Sequence, residues 1–333
     1  MSSKLSDEIA KISGRRVLVC PLDWGLGHAT RCTPIVRALL AAGKQVILAA
    51  DGGAYRFLQT EFPDLQIVRF AGLTVRYSAS QSQVDAMLWQ LPKFAIQIVR
   101  EHRKLREIIE KNQIDCVISD NRFGLWTRRA QCVYITHQLM VKMPKSCRFA
   151  EKVVWRLHQR IIKKYDFCWI PDDENLQLSG DLAHKYPLPK NAHFIGIISR
   201  FEKVDFSPEK SEFDCLGLVS GPEPQRTIFE KQLTELFLHQ NGRCLIVRGL
   251  PACGKTLPSS GNVGFCNHLE TSELQRLLLA TPRIFCRSGY STIMDLMSLG
   301  KTATLIPTPG QTEQEYLADY LQKFGFEKLT FEK

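Results

Sequence analysis

No two of the eleven cysteines form a C-x-x-C pair, so the spacing that zinc sites and dithiol redox motifs need is missing. No window approaches the roughly 18 uninterrupted apolar residues of a membrane-spanning helix. The first fourteen residues, MSSKLSDEIAKISG, hold no apolar stretch of the length a secretory signal needs. There is no Asp-x-Asp pair to present two carboxylates to a divalent cation. A disordered composition is excluded too: 44% of residues are hydrophobic, 9% aromatic and 23% charged, the mixture of an ordinary globular protein. The expectation is a reduced, soluble, cytoplasmic protein without metal or cofactor, its cysteines mostly small buried hydrophobes.

With 333 residues, two domains are the natural prior. Short apolar runs at Arg16–Cys20, Gln45–Ala50, Gln66–Phe70, Asp115–Ser119, Cys132–Thr136 and Phe167–Ile170 alternate with helical patterns, one at Thr33–Ala42 and a long one from Val84 to Asn112. Around Asp172–Pro189 and Phe201–Glu212 the chain turns polar. The alternation resumes at Asp214–Val219, Arg243–Val247, Val263–Cys266, Arg283–Cys286 and Thr302–Ile306. Buried strands separated by helices predict βαβ units and parallel sheets. The fold class is therefore α/β, with two doubly wound, Rossmann-like domains. The first spans 1–170, a linker 171–212 and the second domain 213–333. In such sheets ligands bind outside the carboxyl ends of the strands, and two of them facing across a cleft can hold two substrates.

Charge is unevenly placed. Residues 1–170 carry 27 Lys+Arg against 14 Asp+Glu, whereas residues 171–333 carry 17 against 20. A basic first half suggests an anionic partner, a membrane surface, a phosphorylated lipid or nucleic acid, the alternative being a merely solvated face. Nucleic acid is not expected, because the basic stretches lack interleaved aromatics and no recognition fold is visible. The helical stretch Arg148–Lys164 places Phe149, Val153, Leu157 and Ile161 four residues apart, among Arg148, Lys152, Arg156, Arg160, Lys163 and Lys164. The apolar stripe reads as a core face, and the basic face as one that can approach anionic lipid.

After the first strand comes Pro21-Leu-Asp-Trp-Gly-Leu-Gly-His-Ala-Thr30. Glycines before a helix allow a tight turn and an anion at the helix N-terminus. It is not a dinucleotide fingerprint, since Arg31 stands where a third glycine is needed. His28 is the side chain suited to take a hydroxyl proton near neutral pH. Asp120, at the end of another strand, is a candidate to orient it, although an Asp there also suits a cap for a helix starting near Asn121. Trp24, Gly25, Gly27 and His137 complete the acceptor side of this reading.

In the second half, Arg283-Ile-Phe-Cys-Arg-Ser-Gly-Tyr-Ser-Thr-Ile-Met-Asp295 reads as strand, turn and helix start. Ser291 and Thr292 offer hydroxyls and free N–H groups to a diphosphate, and Arg287 a positive charge. Asp295 is placed to accept ribose hydroxyls; a capping box would account for Ser291 and Asp295 alone. This run resembles the donor motif of GT-B glycosyltransferases of the family 28 and UDP-sugar transferase group. That group includes the transferase adding GlcNAc to the lipid-linked peptidoglycan precursor. The resemblance implies that Ser288, Gly289, Ser291, Thr292 and Asp295 hold diphosphate and ribose, with Asp in place of the usual Glu. Leu305-Ile-Pro-Thr-Pro-Gly-Gln-Thr-Glu-Gln-Glu-Tyr-Leu-Ala318 resembles the next block of the motif, which puts Gln311, Thr312, Glu313 and Gln314 near the donor sugar, with Leu317 where an asparagine is common. Ser220 and Gly221 match a Gly/Ser turn near the phosphates.

The resemblance implies an inverting, metal-independent glycosyltransferase that moves a sugar from a nucleotide sugar, UDP-linked in the relatives, to a glycan or lipid-linked acceptor. The enzyme would be cytoplasmic or peripheral on the inner face of a membrane. A nucleotide-sugar hydrolase or epimerase on the same fold, or a non-catalytic nucleotide-sugar-binding protein, is the alternative. Gly249-Leu-Pro-Ala-Cys-Gly-Lys-Thr256 also satisfies a P-loop pattern, but the Leu-Pro-Ser-Ser-Gly that follows breaks the helix a P-loop needs.

Overall fold

A computed structural model describes residues 3–72, 91–201, 212–251, 253–255 and 257–331. The expected helical residues 84–90 and most of the polar stretch 201–212 lie outside them.

The apolar runs of the first half become parallel strands: β1 (Arg16–Cys20), β2 (Gln45–Ala50), β3 (Ile67–Arg69), β4 (Cys116–Asp120), β5 (Gln131–Ile135), β6 (Phe167–Ile170) and β7 (Ala192–Phe194). They pair in the order β3-β2-β1-β4-β5-β6-β7. All five residues of β4 are buried, as a strand covered on both faces requires. The helices of this unit are α1 (Ser3–Ala10), α2 (Gly27–Ala41), α3 (Gly52–Glu61), α4 (Leu91–Asn112), α5 (Glu151–Ile162) and the single turn α6 (Asp181–His184). One core joins Leu18, Val117 and Tyr134 of the sheet to Leu105 and Ile109 of α4 and Ile162 of α5.

The second half repeats the plan with β8 (Cys215–Leu218), β9 (Cys244–Val247), β10 (Val263–Cys266), β11 (Arg283–Cys286), β12 (Thr304–Leu305) and β13 (Glu327–Lys328). These are parallel, in the order β10-β9-β8-β11-β12-β13. Its helices are α7 (Gln225–Leu238), α8 (Thr271–Ala280), α9 (Tyr290–Ser298) and α10 (Thr312–Tyr320). Phe229, Leu233 and Phe237 of α7 pack on Cys215, Ile246 and Phe285.

The boundary differs from the expected one. Residues 171–198 are not a linker: α6 and β7 belong to the first unit, β7 pairing with β6 through Trp169 and His193. The first unit therefore reaches Ile198, and the second resumes at Ser199. The polar sequence there is satisfied locally. Buried Asp172 accepts from the backbone N–H groups of Leu178 and Ser179 and sits 3.0 Å from His184 Nε2.

Each sheet reverses direction once, at β1/β4 in the first and at β8/β11 in the second. At such a switch point adjacent loops leave toward opposite faces and open a crevice at the carboxyl ends. Strand order alone thus selects the loops after β1, β4, β8 and β11 as candidate sites.

One buried histidine gives the first unit an acid weakness. His158 of α5 is 7% exposed, with Nδ1 3.3 Å from the Leu139 carbonyl and Nε2 3.1 Å from the Tyr134 hydroxyl. A carbonyl only accepts, so Nδ1 carries the hydrogen and Nε2 accepts from the tyrosine. Burial pushes the His158 pKa down from 6.5 to about 4. Because the folded value is depressed, the unfolded chain takes up a proton that the native state refuses as pH falls from 6.5 toward 4. About 3 kcal/mol of stability should be lost across that window. Urea unfolding at pH 7 and pH 4 tests this: His158→Asn should lose about 3 kcal/mol less than the wild type.

Candidate active site

At the first switch point the chain leaves β1 at Cys20 and turns through Asp23-Trp-Gly-Leu. Gly25 has φ +88°, a left-handed conformation that costs a side-chain-bearing residue its usual energy but suits glycine. The following helix starts at Gly27, six residues before the position expected from its apolar pattern. His28 is therefore in the first helical turn rather than on a free loop, with Arg31 three positions on and so on the same helix face.

Asp120, the last residue of β4, is fully buried and reaches this turn. Its Oδ2 lies 3.0 Å from His28 Nδ1 and accepts from Arg31 Nε at 3.2 Å, and Arg31 Nη2 bonds its Oδ1. Arg31 continues the chain of contacts, with Nη2 2.9 Å from His28 Nδ1 and Nη1 2.9 Å from His137 Nδ1. Burial alone would raise the Asp120 pKa; Arg31 and then His28 outweigh it and hold the carboxyl below its ordinary range. Since arginine only donates, His137 Nδ1 must accept, which places the His137 hydrogen on Nε2. No helix begins at Asn121 among the described residues, so Asp120 is not a cap as the sequence allowed.

The expected pairing of His28 with Asp120 is thus present, and His137 joins it through Arg31. Sequence reasoning met Arg31 only as the residue that spoils a glycine fingerprint. Its spacing from His28 would have marked it, but only with the helix start known. Asp23, in the same loop, has its pKa raised mainly by burial.

In the second unit, Ser220 and Gly221 follow β8, and Gly221 has φ +102°. After β11, Gly289 caps α9, whose first turn contains Ser291 and Thr292, two residues deeper than a Ser291 cap would put them. A side chain at Gly289 would meet nothing within 4 Å, so there is open space beside this turn.

Three predicted donor residues are placed differently from the expectation. Arg287 folds back: Nη1 donates to the carbonyls of Ile306 and Pro307 at 3.1 and 2.9 Å, and its guanidinium lies 4.0 Å over the Phe229 ring. Burial lowers its pKa to about 10, and Nη2 has no hydrogen-bond acceptor among the described residues. The carboxylate of Asp295 is occupied by the Ser199 hydroxyl at 2.6 Å and by Arg200 Nε at 3.2 Å. Burial raises the Asp295 pKa in spite of Arg200. Gln314 accepts from Thr308 N–H with Oε1 at 2.8 Å, while its backbone carbonyl takes the buried Ser288 hydroxyl at 2.7 Å. These three brace the rim; Glu313, Thr312 and Gln311 lie at the start of α10.

A buried ionic network at the exits of β8, β9 and β10 escaped the sequence reading. Glu230 of α7 accepts from Arg226 at 2.7 Å and Arg248 at 2.9 Å, and Arg248 reaches Asn267 at 2.6 Å. Asn267 in turn donates to the carbonyls of Cys253 and Lys255 at 2.8 and 3.0 Å. These bonds hold the P-loop-like segment in place, and among the described residues no helix follows it directly: the next element is β10.

Two Rossmann-like parallel sheets, each with a Gly-containing turn at its switch point, make up the GT-B architecture. The comparisons agree. Residues 16–141 match the model of glycosyl transferase family 1, and residues 271–333 that of the glycosyltransferase family 28 C-terminal domain. An uncharacterised glycosyltransferase of Methanosarcina acetivorans is 24% identical across 94% of this chain and 85% of its own length. The UDP-N-acetylglucosamine–N-acetylmuramyl-(pentapeptide) pyrophosphoryl-undecaprenol N-acetylglucosamine transferase of Desulforudis audaxviator is 35% identical over 25% of this chain and 22% of its own. Among solved structures, the Streptomyces sp. SF2575 glycosyltransferase SsfS6 complexed with thymidine diphosphate superposes with a TM-score of 0.58 at 13% identity, covering 95% of this chain and 88% of that one. These similarities together support a family 28-like glycosyltransferase of GT-B fold.

Proposed function

We propose that the protein transfers a sugar from a nucleoside-diphosphate sugar to an acceptor hydroxyl with inversion at the anomeric carbon, His28 acting as the base. The observation that carries this is the 3.0 Å contact between His28 Nδ1 and the buried Asp120 carboxylate. With Nδ1–H donating to Asp120, Nε2 is left to take the acceptor proton, and the carboxylate stabilises the imidazolium that forms. Nδ1 is also 2.9 Å from Arg31. It cannot donate to Asp120 and accept from Arg31 at once, and only the first arrangement gives a base.

The leaving diphosphate is assigned to the N-terminus of α9. Ser291, Thr292 and the open turn at Gly289 supply N–H and hydroxyl donors there, and the helix end favours negative charge. The unspent Nη2 of Arg287 adds a buried positive charge behind the same turn. Such fixed donors stabilise charge as it develops on the leaving group, and no metal is needed in this reading. Glu313 remains a candidate for donor-sugar hydroxyls. The uridine named for the bacterial relative and the thymidine diphosphate bound by SsfS6 support a pyrimidine nucleotide. The relative's lipid carrier supports a lipid-linked or anionic glycan acceptor, met from the cytoplasmic side.

UDP- and dTDP-sugars should be incubated with and without an acceptor panel, scoring released nucleoside diphosphate and the product anomer by NMR. Acceptor-dependent release with an inverted product is expected. Release of free sugar without acceptor would instead indicate a hydrolase, and binding without release a regulatory protein.

A further inference from the structure

Helix α5 reverses the expected assignment of its apolar stripe. Phe149, just before the helix, is 84% exposed, Val153 55% and Leu157 50%. The core is filled from the other side, by His158 and Ile162 with Ile161 packed against them. The exposed stripe at 149, 153 and 157 runs beside exposed cations at Arg148, Lys152 and Arg156, one position behind each apolar residue, and Arg160, Lys163 and Lys164 extend the basic face. At about 100° per residue these form two adjacent bands on one side of the helix. A second apolar pair stands exposed on α4, Ile96 at 53% and Val99 at 50%. Trp126 contacts His102 of α4 ring to ring at 4.6 Å and lies 4.4 Å from the ammonium of Lys164, two residues past the end of α5.

We infer that this face, centred on Phe149, Val153 and Leu157, docks the protein on an anionic lipid surface. Apolar side chains enter the acyl boundary while lysines and arginines meet the headgroups, which is the design of an interfacial helix. The combination selects the occupant. A second copy of this chain would bring like-charged faces together, since the first 170 residues carry 27 cations against 14 anions. A nucleic acid would pair with the cations but offers no apolar phase for a phenylalanine, a valine and a leucine. The inference rests on the proposed lipid-linked acceptor only for its purpose, because docking can be measured without turnover.

The test is co-sedimentation of the full chain with vesicles of phosphatidylcholine, with and without phosphatidylglycerol. Binding to the anionic vesicles only, weakening as salt rises, is the expected result. Phe149→Glu with Leu157→Glu should reduce it more than tenfold at an unchanged Tm, since both side chains are exposed. Lys152→Gln and Arg156→Gln should each cost about fivefold. Phe149→Trp should shift its fluorescence to the blue on adding the anionic vesicles. Wild-type binding that is absent, indifferent to headgroup charge or untouched by the double substitution would overturn the inference. So would tight retention of a random RNA with none on vesicles. Loss of docking with transfer to a water-soluble acceptor intact separates this face from the reaction; transfer failing while docking persists sinks only the catalytic reading.

Discussion

His28→Ala is expected to lower the transfer rate by about 10²–10⁴-fold, the usual contribution of a positioned general base. Nucleoside-diphosphate affinity should stay near wild type and Tm should fall only modestly: the His28 ring is 17% exposed, so some packing is lost, but Arg31 still pairs the Asp120 carboxylate. The measurement is kcat at saturating donor beside a thermal melt. A variant that melts normally yet transfers at the wild-type rate would remove His28 from the mechanism. Asp23, whose pKa is raised by burial in the same loop, would then be the next carboxylate to test as base.

Asp120→Ala is expected to cost about 3–5 kcal/mol of folding free energy, because it leaves the Arg31 guanidinium buried without its carboxylate. Arg31 is only 3% exposed and Asp120 is not exposed at all. Urea unfolding at neutral pH measures the loss. The sign with pH follows from the depressed Asp120 pKa: the contribution is full above its ordinary value of 3.8 and fades as pH falls through the lower folded value. Wild type and variant should therefore converge only in strong acid. Replacing both partners by apolar residues, Arg31→Met with Asp120→Leu, should recover part of the stability and none of the transfer. This separates the pair's structural role from its service to His28. A variant as stable as the wild type would mean that water reaches Arg31 and satisfies it.

The switch-point geometry explains why so much of the site could be read before the fold was known. A strand followed by a glycine turn and a helix start has a local signature, and both Gly25-Leu-Gly-His28 and Arg287-Ser-Gly-Tyr290 carry it. What those turns contact has no local signature. Arg287 looked like a phosphate ligand because a cation beside a helix N-terminus suits one. Its guanidinium instead closes the gap between the exits of β11 and β12, two carbonyls that no sequence pattern pairs with it. Asp295 shows the same limit. Its spacing fitted a ribose acceptor, yet Ser199 and Arg200, 95 or more positions away, take the carboxylate.

Sequence by itself determined the two parallel α/β sheets, the strand exits that hold the candidate site and the choice of His28 and Asp120 as a candidate pair. These follow from hydrophobic period and turn residues, which are properties of neighbouring positions. Tertiary structure alone decided the start of α2 at Gly27, hence Arg31's place in the dyad, and the end of the first unit at Ile198. It also decided which side of α5 meets the sheet. That helix has two apolar faces, and the one with Ile161 and Ile162, beside the buried His158, packs on the core. Phe149, Val153 and Leu157 are left outside because a sheet can bury only one face of a helix.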